Sequence, residues 1–170
     1  QLDPSIGGPP VPLEYRPDGR VLVASKGLPT PSAAFRRSVY LLNRRIYNPS
    51  FLSVFDKPIV TGSVCRRDVS AVALQSLSMM NDEFVVEQSR KLAARVATEA
   101  GLSSDAAIRR LFRLTLGREP SRQERDLCNR MLARQTELYR ADSPDESPEL
   151  AALADLCQTI LNMNEFLYLE

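Results

Sequence analysis

The side chains best suited to chemistry in this chain are carboxylates, asparagines and arginines, because its 170 residues include no histidine. That absence excludes Ser-His-Asp and Cys-His nucleophile pairs, zinc sites built on imidazole, and haem held by a proximal histidine. Carboxylate, lysine, tyrosine or serine chemistry survives, or none. Asp155 and Glu165 are candidate acid or base groups, with Asn81, Asn162 and Asn164 as polar neighbours that could line a cleft. Each also suits helix capping, and glycoside hydrolysis normally needs two carboxylates placed across the bond. The three cysteines, Cys65, Cys128 and Cys157, lack metal-ligand spacing. Cys128 and Cys157 fall on apolar helical faces and read as small buried thiols, although an oxidising compartment would permit a Cys65–Cys157 disulfide.

Charge is unevenly spread. Residues 16 to 67 carry ten Lys or Arg against Asp18 and Asp56, while residues 68 to 170 carry twelve basic and seventeen acidic side chains. Arg36, Arg37, Arg44, Arg45, Arg66 and Arg67 therefore form a candidate surface for an anion or a partner, unless they pack over apolar surface or against acidic helices. A pI of about 7.9 and the lack of a reading motif argue against nucleic acid as that partner. An anionic polysaccharide or an acidic neighbouring domain fits equally well. Tyr40, Tyr47, Phe51 and Phe55 are either a stacking platform for sugar or an apolar seam.

The elements that must position these groups change character near residue 70. The first third is rich in turn formers. Leu13 to Arg16 and Arg20 to Val23 flank Pro17-Asp18-Gly19, which predicts a short hairpin. Residues 37–44 are ambiguous between strand and short helix, with β-branched and aromatic content favouring strand. Pro49 to Phe55 suits a brief helix. From Ser70 onward the spacing is helical. Ala73, Leu77 and Met80 share one face of a helix ending near Asn81, and Asp82 caps the next, whose Val85, Leu92 and Val96 align before Gly101. Ser104 caps a third helix with an Ile108, Leu111, Phe112, Thr115 and Leu116 stripe. Ser121 and Glu124 form a capping box for a fourth, with Leu127, Cys128, Met131, Leu132, Leu138 and Tyr139 on its apolar side. Ser147-Pro148 starts the last, with Leu150, Leu153, Leu156, Cys157, Ile160 and Leu161 inward.

The expected fold class is mainly α. A bundle of about five helices occupies residues 70–170, and a turn-rich basic segment with a β-hairpin, residues 1–69, packs on it as part of one structural domain. No stretch is long and apolar enough for a membrane-spanning helix. The chain opens on Gln1 rather than Met, which reads as a mature or excised fragment of something longer.

Several stretches are familiar in their order. They run from Ile6-Gly-Gly-Pro-Pro-Val-Pro-Leu13 and Asp18-Gly-Arg-Val21 through Arg36-Arg-Ser-Val-Tyr40, Phe55-Asp-Lys-Pro58, Cys65-Arg-Arg67 and Leu74-Gln-Ser-Leu77 to Phe84-Val-Val-Glu-Gln88. Leu114-Thr-Leu-Gly-Arg-Glu-Pro120, Leu153-Ala-Asp-Leu-Cys157 and Leu161-Asn-Met-Asn-Glu-Phe-Leu-Tyr168 complete the set. Together they resemble the planctomycete domain of unknown function 1553 family, found C-terminal in large proteins that often also carry a c-type cytochrome segment. The resemblance implies the C-terminal part of that domain and a parent protein that is extracytoplasmic: periplasmic, envelope-bound or secreted. It implies no cofactor in this chain, with c-type haem elsewhere in the parent, and it brings no catalytic residue to carry over. Where relatives are expected to have Cys-His, this chain has Cys157-Gln158, and Gln158 can only hydrogen-bond. Two functional expectations follow. The first is a non-catalytic interaction or scaffold domain that binds a neighbouring domain of its parent, or an envelope polymer, through its arginine-rich face; the second is part of a polysaccharide-acting hydrolase or redox enzyme whose site lies mostly upstream.

Overall fold

The structure is a computed structural model; it describes residues 2–24, 26–28, 30–44, 47–57, 72–102, 104–142 and 147–168. The chain divides into two units, Gln1–Gln75 and Ser76–Glu170.

In the first unit the hairpin forms as the turn residues dictate. Strands β1 (Leu13–Tyr15) and β2 (Val21–Val23) pair antiparallel, with Leu13 opposite Val23 and Tyr15 opposite Val21. Gly19 takes φ 84°, a conformation glycine enters without steric cost, and Asp18 Oδ1 accepts from the Arg20 amide at 3.0 Å. Helix α1 (Ser50–Val54) follows Pro49, and its Ser50 Oγ accepts from the Val21 amide at 2.9 Å. The strand expected over residues 37–44 is replaced by a 3-10 turn at Ser38–Tyr40, followed by an isolated bridge from Leu41 to Val11. Val39 is 79% exposed, so its β-branched side chain has no sheet surface to pack on.

Seven α-helices lie among the described residues, five of them long: α2 (Ala73–Asn81), α3 (Glu83–Ala100), α4 (Ser104–Thr115), α5 (Arg122–Asp142) and α6 (Pro148–Leu161). The expected mainly helical architecture with an N-terminal hairpin is what the molecule has. Helix α6 is central, packed chiefly on α3 and α5, and Val96, Ile108, Leu111, Phe112, Leu156 and Cys157 form the innermost core. Its boundaries follow capping chemistry. Asp82 accepts from the Phe84 amide at the start of α3, Gly101 stops that helix at φ 74°, and Ser147 accepts from the Leu150 amide ahead of Pro148. The capping box is complete: the Glu124 amide donates to Ser121 Oγ at 3.2 Å, and the Ser121 amide donates to Glu124 Oε2 at 2.7 Å. Ser104 is the first residue inside α4 rather than its cap. A short α7 (Asn164–Leu167), not anticipated, ends the described chain.

Apolar side chains on two helices are exposed. Leu127 and Leu138 on α5 are exposed because each sits about 100° of helix rotation before a residue that packs inward, Cys128 or Tyr139. On α2 the shared face of Ala73, Leu77 and Met80 is the exposed one. Leu74, Leu77 and Met80 are 56%, 56% and 61% exposed, whereas Gln75 and Met79 on the other side are 2% and 5% exposed. Within the first unit Gln75 Nε2 donates to the Val54 carbonyl at 3.1 Å.

Candidate functional site

The arginines of the first unit do not share one role. Arg36 follows a 3-10 turn at Pro31–Phe35 and turns its guanidinium back on the glycine- and proline-rich lead-in, donating to the carbonyls of Ser5 at 3.1 Å, Pro9 at 3.4 Å and Gly7. Its Cζ lies 4.0 Å from the Tyr40 ring centroid, and its Nε is buried without a hydrogen-bond partner. Arg37 and Arg44 are exposed. Arg45, Arg66 and Arg67 lie outside the described residues, as does Cys65. The four aromatic residues take part in three recorded pairings. Tyr47 packs on Tyr15 at 4.5 Å between centroids, Phe51 on Phe55 at 5.0 Å, and Tyr40 under Arg36. Lys57 donates to Asn43 Oδ1 at 3.2 Å and Asn48 Oδ1 at 3.1 Å, and burial lowers its pKa.

In the helical unit the Leu-Gly-Arg-Glu-Pro corner builds an ionic clamp. Arg118 engages Glu124 with both terminal nitrogens, at 3.0 and 2.7 Å, and engages Glu165 of α7 through Nε at 2.6 Å and Nη2 at 2.7 Å. Hydrogen bonding from Arg118 holds the Glu124 carboxyl down at about 2 and lowers Glu165 as well, while the two carboxylates raise Arg118 further. The lowering favours the ionised form of Glu165, whereas a general acid needs a raised pKa. Asp155 Oδ2 accepts from the Tyr139 hydroxyl at 2.9 Å. Asn81 Nδ2 donates to the Leu77 carbonyl at 2.9 Å, and Asn162 Nδ2 to Gln158 O at 2.8 Å. Gln158 Nε2 donates to the Met80 carbonyl at 2.7 Å, so α6 caps the C-terminal end of α2, where a helix leaves carbonyls unpaired. Cys157 is a free thiol, fully buried, with its pKa pushed up to about 12 by burial; Cys128 is also free and raised.

Two crevices stand out among the described residues. One, of about 370 Å³, lies beside Asp3, Ser32 and Arg36 in the first unit. The other, of about 360 Å³, runs along α5 in the helical unit and includes the carboxylates of Glu137 and Glu149. Glu149 is paired with Arg140 at 2.6 Å, which lowers its pKa. No group of three His, Cys, Asp or Glu side chains among the described residues could hold a metal ion, and no helix among them is long and apolar enough to cross a membrane.

Sequence reasoning singled out Glu165 and Gln158 but not their partners. The Arg118 clamp had a signal in the Gly117-Arg118-Glu119-Pro120 corner. The α5 crevice had one in the 129, 132, 133, 136, 137 and 140 spacing, which places small and polar residues on one helical face.

No curated protein and no solved structure matches this chain. The family model described as PSD1, protein of unknown function (DUF1553), matches residues 1–132, which takes in the N-terminal lead-in, the hairpin and the Arg118 corner but not α6 or α7. The chain belongs to that family, the proteins of unknown function DUF1553.

Proposed function

We propose that this chain is a non-catalytic interaction domain that acts inside a larger extracytoplasmic protein and docks on a neighbouring domain through the outward face of α2. The observation that carries the reading is the burial pattern of that helix within the helical unit: Leu77 and Met80 lie toward solvent while Met79 is buried, with half-exposed Phe84 following at the start of α3. Exposed large apolar side chains grouped on one helix mark an interaction surface more often than scattered single ones do. Internal use of the ionic groups supports the same reading, since Arg36, Arg118, Glu124 and Glu165 all hold the chain's own elements together. Exposed Arg37 and Arg44 offer a second contact for an acidic neighbour or an anionic polysaccharide. The hydrolase reading gains one observation, the two carboxylates at the α5 crevice. Arg140 weakens it, because a general acid needs a raised pKa and the pairing lowers that of Glu149.

The test is association between the purified chain and the remaining segments of its parent polypeptide, supplied in trans and followed by calorimetry. Wild type is expected to bind and a Leu77→Glu/Met80→Glu variant to lose binding while keeping its far-ultraviolet circular dichroism. Undiminished binding by the variant, or turnover of a glycan or ester by the purified chain, would overturn the reading.

A further inference from the structure

The crevice along α5 has a chemistry of its own. Asn129, Leu132, Ala133, Thr136, Glu137 and Arg140 recur on one face of that helix, so the crevice is elongated, with Ala107 of α4 and Leu153 of α6 as facing walls. Its middle is apolar, lined by Leu132, Ala133, Ala107 and Leu153. Arg140 and Glu149 satisfy each other. Among the described residues, two lining acceptors stand without a donor or a cation, beside the Ser104 and Thr136 hydroxyls, which can donate as well as accept. Asn129 Oδ1 is shielded from solvent yet meets no donor, whereas the Glu137 carboxylate is exposed to solvent and has no cationic partner among the described residues. A buried acceptor without a donor is destabilising, so a ligand that supplies one gains what the free protein lacks. The two positions are eight residues apart, about 12 Å along the helix axis.

We propose that this crevice binds a linear aliphatic polyamine. Its methylenes lie over Leu132, Ala133 and Leu153, one ammonium meets Glu137, and a second nitrogen donates to Asn129 Oδ1. An anion is disfavoured because the lining carries two carboxylates against one guanidinium, and that guanidinium is already paired. A compact cation would leave one of the two separated acceptors unmatched. This reading is independent of docking through α2, because none of its residues lies on that helix.

Calorimetric titration of the intact chain with spermidine at physiological salt tests it, with octylamine as the single-nitrogen control. The expected result is one-site binding of spermidine, with octylamine at least about tenfold weaker. Glu137→Gln, an exposed position, should weaken spermidine by about tenfold, and Ala133→Leu should fill the crevice and abolish the heat. Both variants should keep the wild-type melting midpoint; if Ala133→Leu unfolds, the Glu137→Gln and octylamine arms still decide. No heat with spermidine, equal binding of octylamine, or spermidine binding that Glu137→Gln leaves unchanged would each overturn the proposal.

Discussion

In the first unit Arg36 gathers the carbonyl oxygens of Ser5, Gly7 and Pro9, whereas in the helical unit Arg118 gathers the carboxylates of Glu124 and Glu165. The contrast follows from what the backbone leaves unmet. Residues 4–10 contain three prolines and two glycines and form neither helix nor sheet, so their carbonyls need donors from elsewhere, and a guanidinium with five N–H groups can serve several. In α4 to α6 the ladders satisfy the backbone internally, and the arginine at the corner is available to hold two helix starts by their carboxylates. The cores differ in the same direction. Buried apolar residues of the first unit, such as Val11, Leu13, Val21 and Ala33, keep a few per cent of exposure, while the helical unit buries Phe112, Ile108, Leu111 and Leu156 almost completely. One unit leans on polar stitching and the other on packing.

That contrast is open to direct test. Phe112→Ala should have the largest effect, about 3–5 kcal/mol lost from the helical unit in denaturant titration, because the side chain is 1% exposed. A loss under about 1 kcal/mol would mean packing does not dominate there. Arg118→Ala should cost about 1–2 kcal/mol, after allowing for solvent screening of its half-open pairs. Its effect should also depend on pH. Glu124 titrates at about 2 in the folded chain against an ordinary 4.5, so the clamp's contribution is complete above that ordinary value and fades as pH falls toward 2. Wild type and Arg118→Ala should converge in stability at the acid end; a constant gap from neutral pH to pH 2 would contradict the clamp. Arg36→Ala should have the smallest global effect, about 1 kcal/mol, because the freed carbonyls can turn to water. It should speed amide hydrogen exchange in residues 2–12 and leave α3 to α6 unchanged. Uniform acceleration across both units would erase the distinction.

How much of this was legible in the residues varies by the kind of force involved. The hairpin around Gly19, the Asp82 cap, the Ser121–Glu124 box and the Ser147-Pro148 start are local chemistry within a few residues, and each formed where its motif stood. The core stripe of Ile108, Leu111 and Phe112 was legible because α4 is strongly amphipathic. Orientation was less so. Periodicity placed Leu77 and Met80 on one face of α2 correctly, but it assigns no direction to that face, and in the helical unit the Met80 carbonyl is held by a partner distant in sequence, Gln158. The arginine set was legible as charge and not as geometry, since Arg36 and Arg37 are adjacent in sequence yet one is turned onto carbonyls and the other lies in solvent. Asn129 and Glu137 went unread because an unmatched acceptor exists only relative to its neighbours in space.

The outward face of α2 carries the functional reading, and two adjacent methionines test it. Met79 is 5% and Met80 61% exposed. Met79→Glu should cost at least about 2 kcal/mol in denaturant-induced unfolding, since it buries a charge, whereas Met80→Glu should stay within about 0.5 kcal/mol of wild type. Comparable losses from both substitutions, or a larger loss from Met80→Glu, would mean that the apolar face of α2 is interior and that the docking surface does not exist.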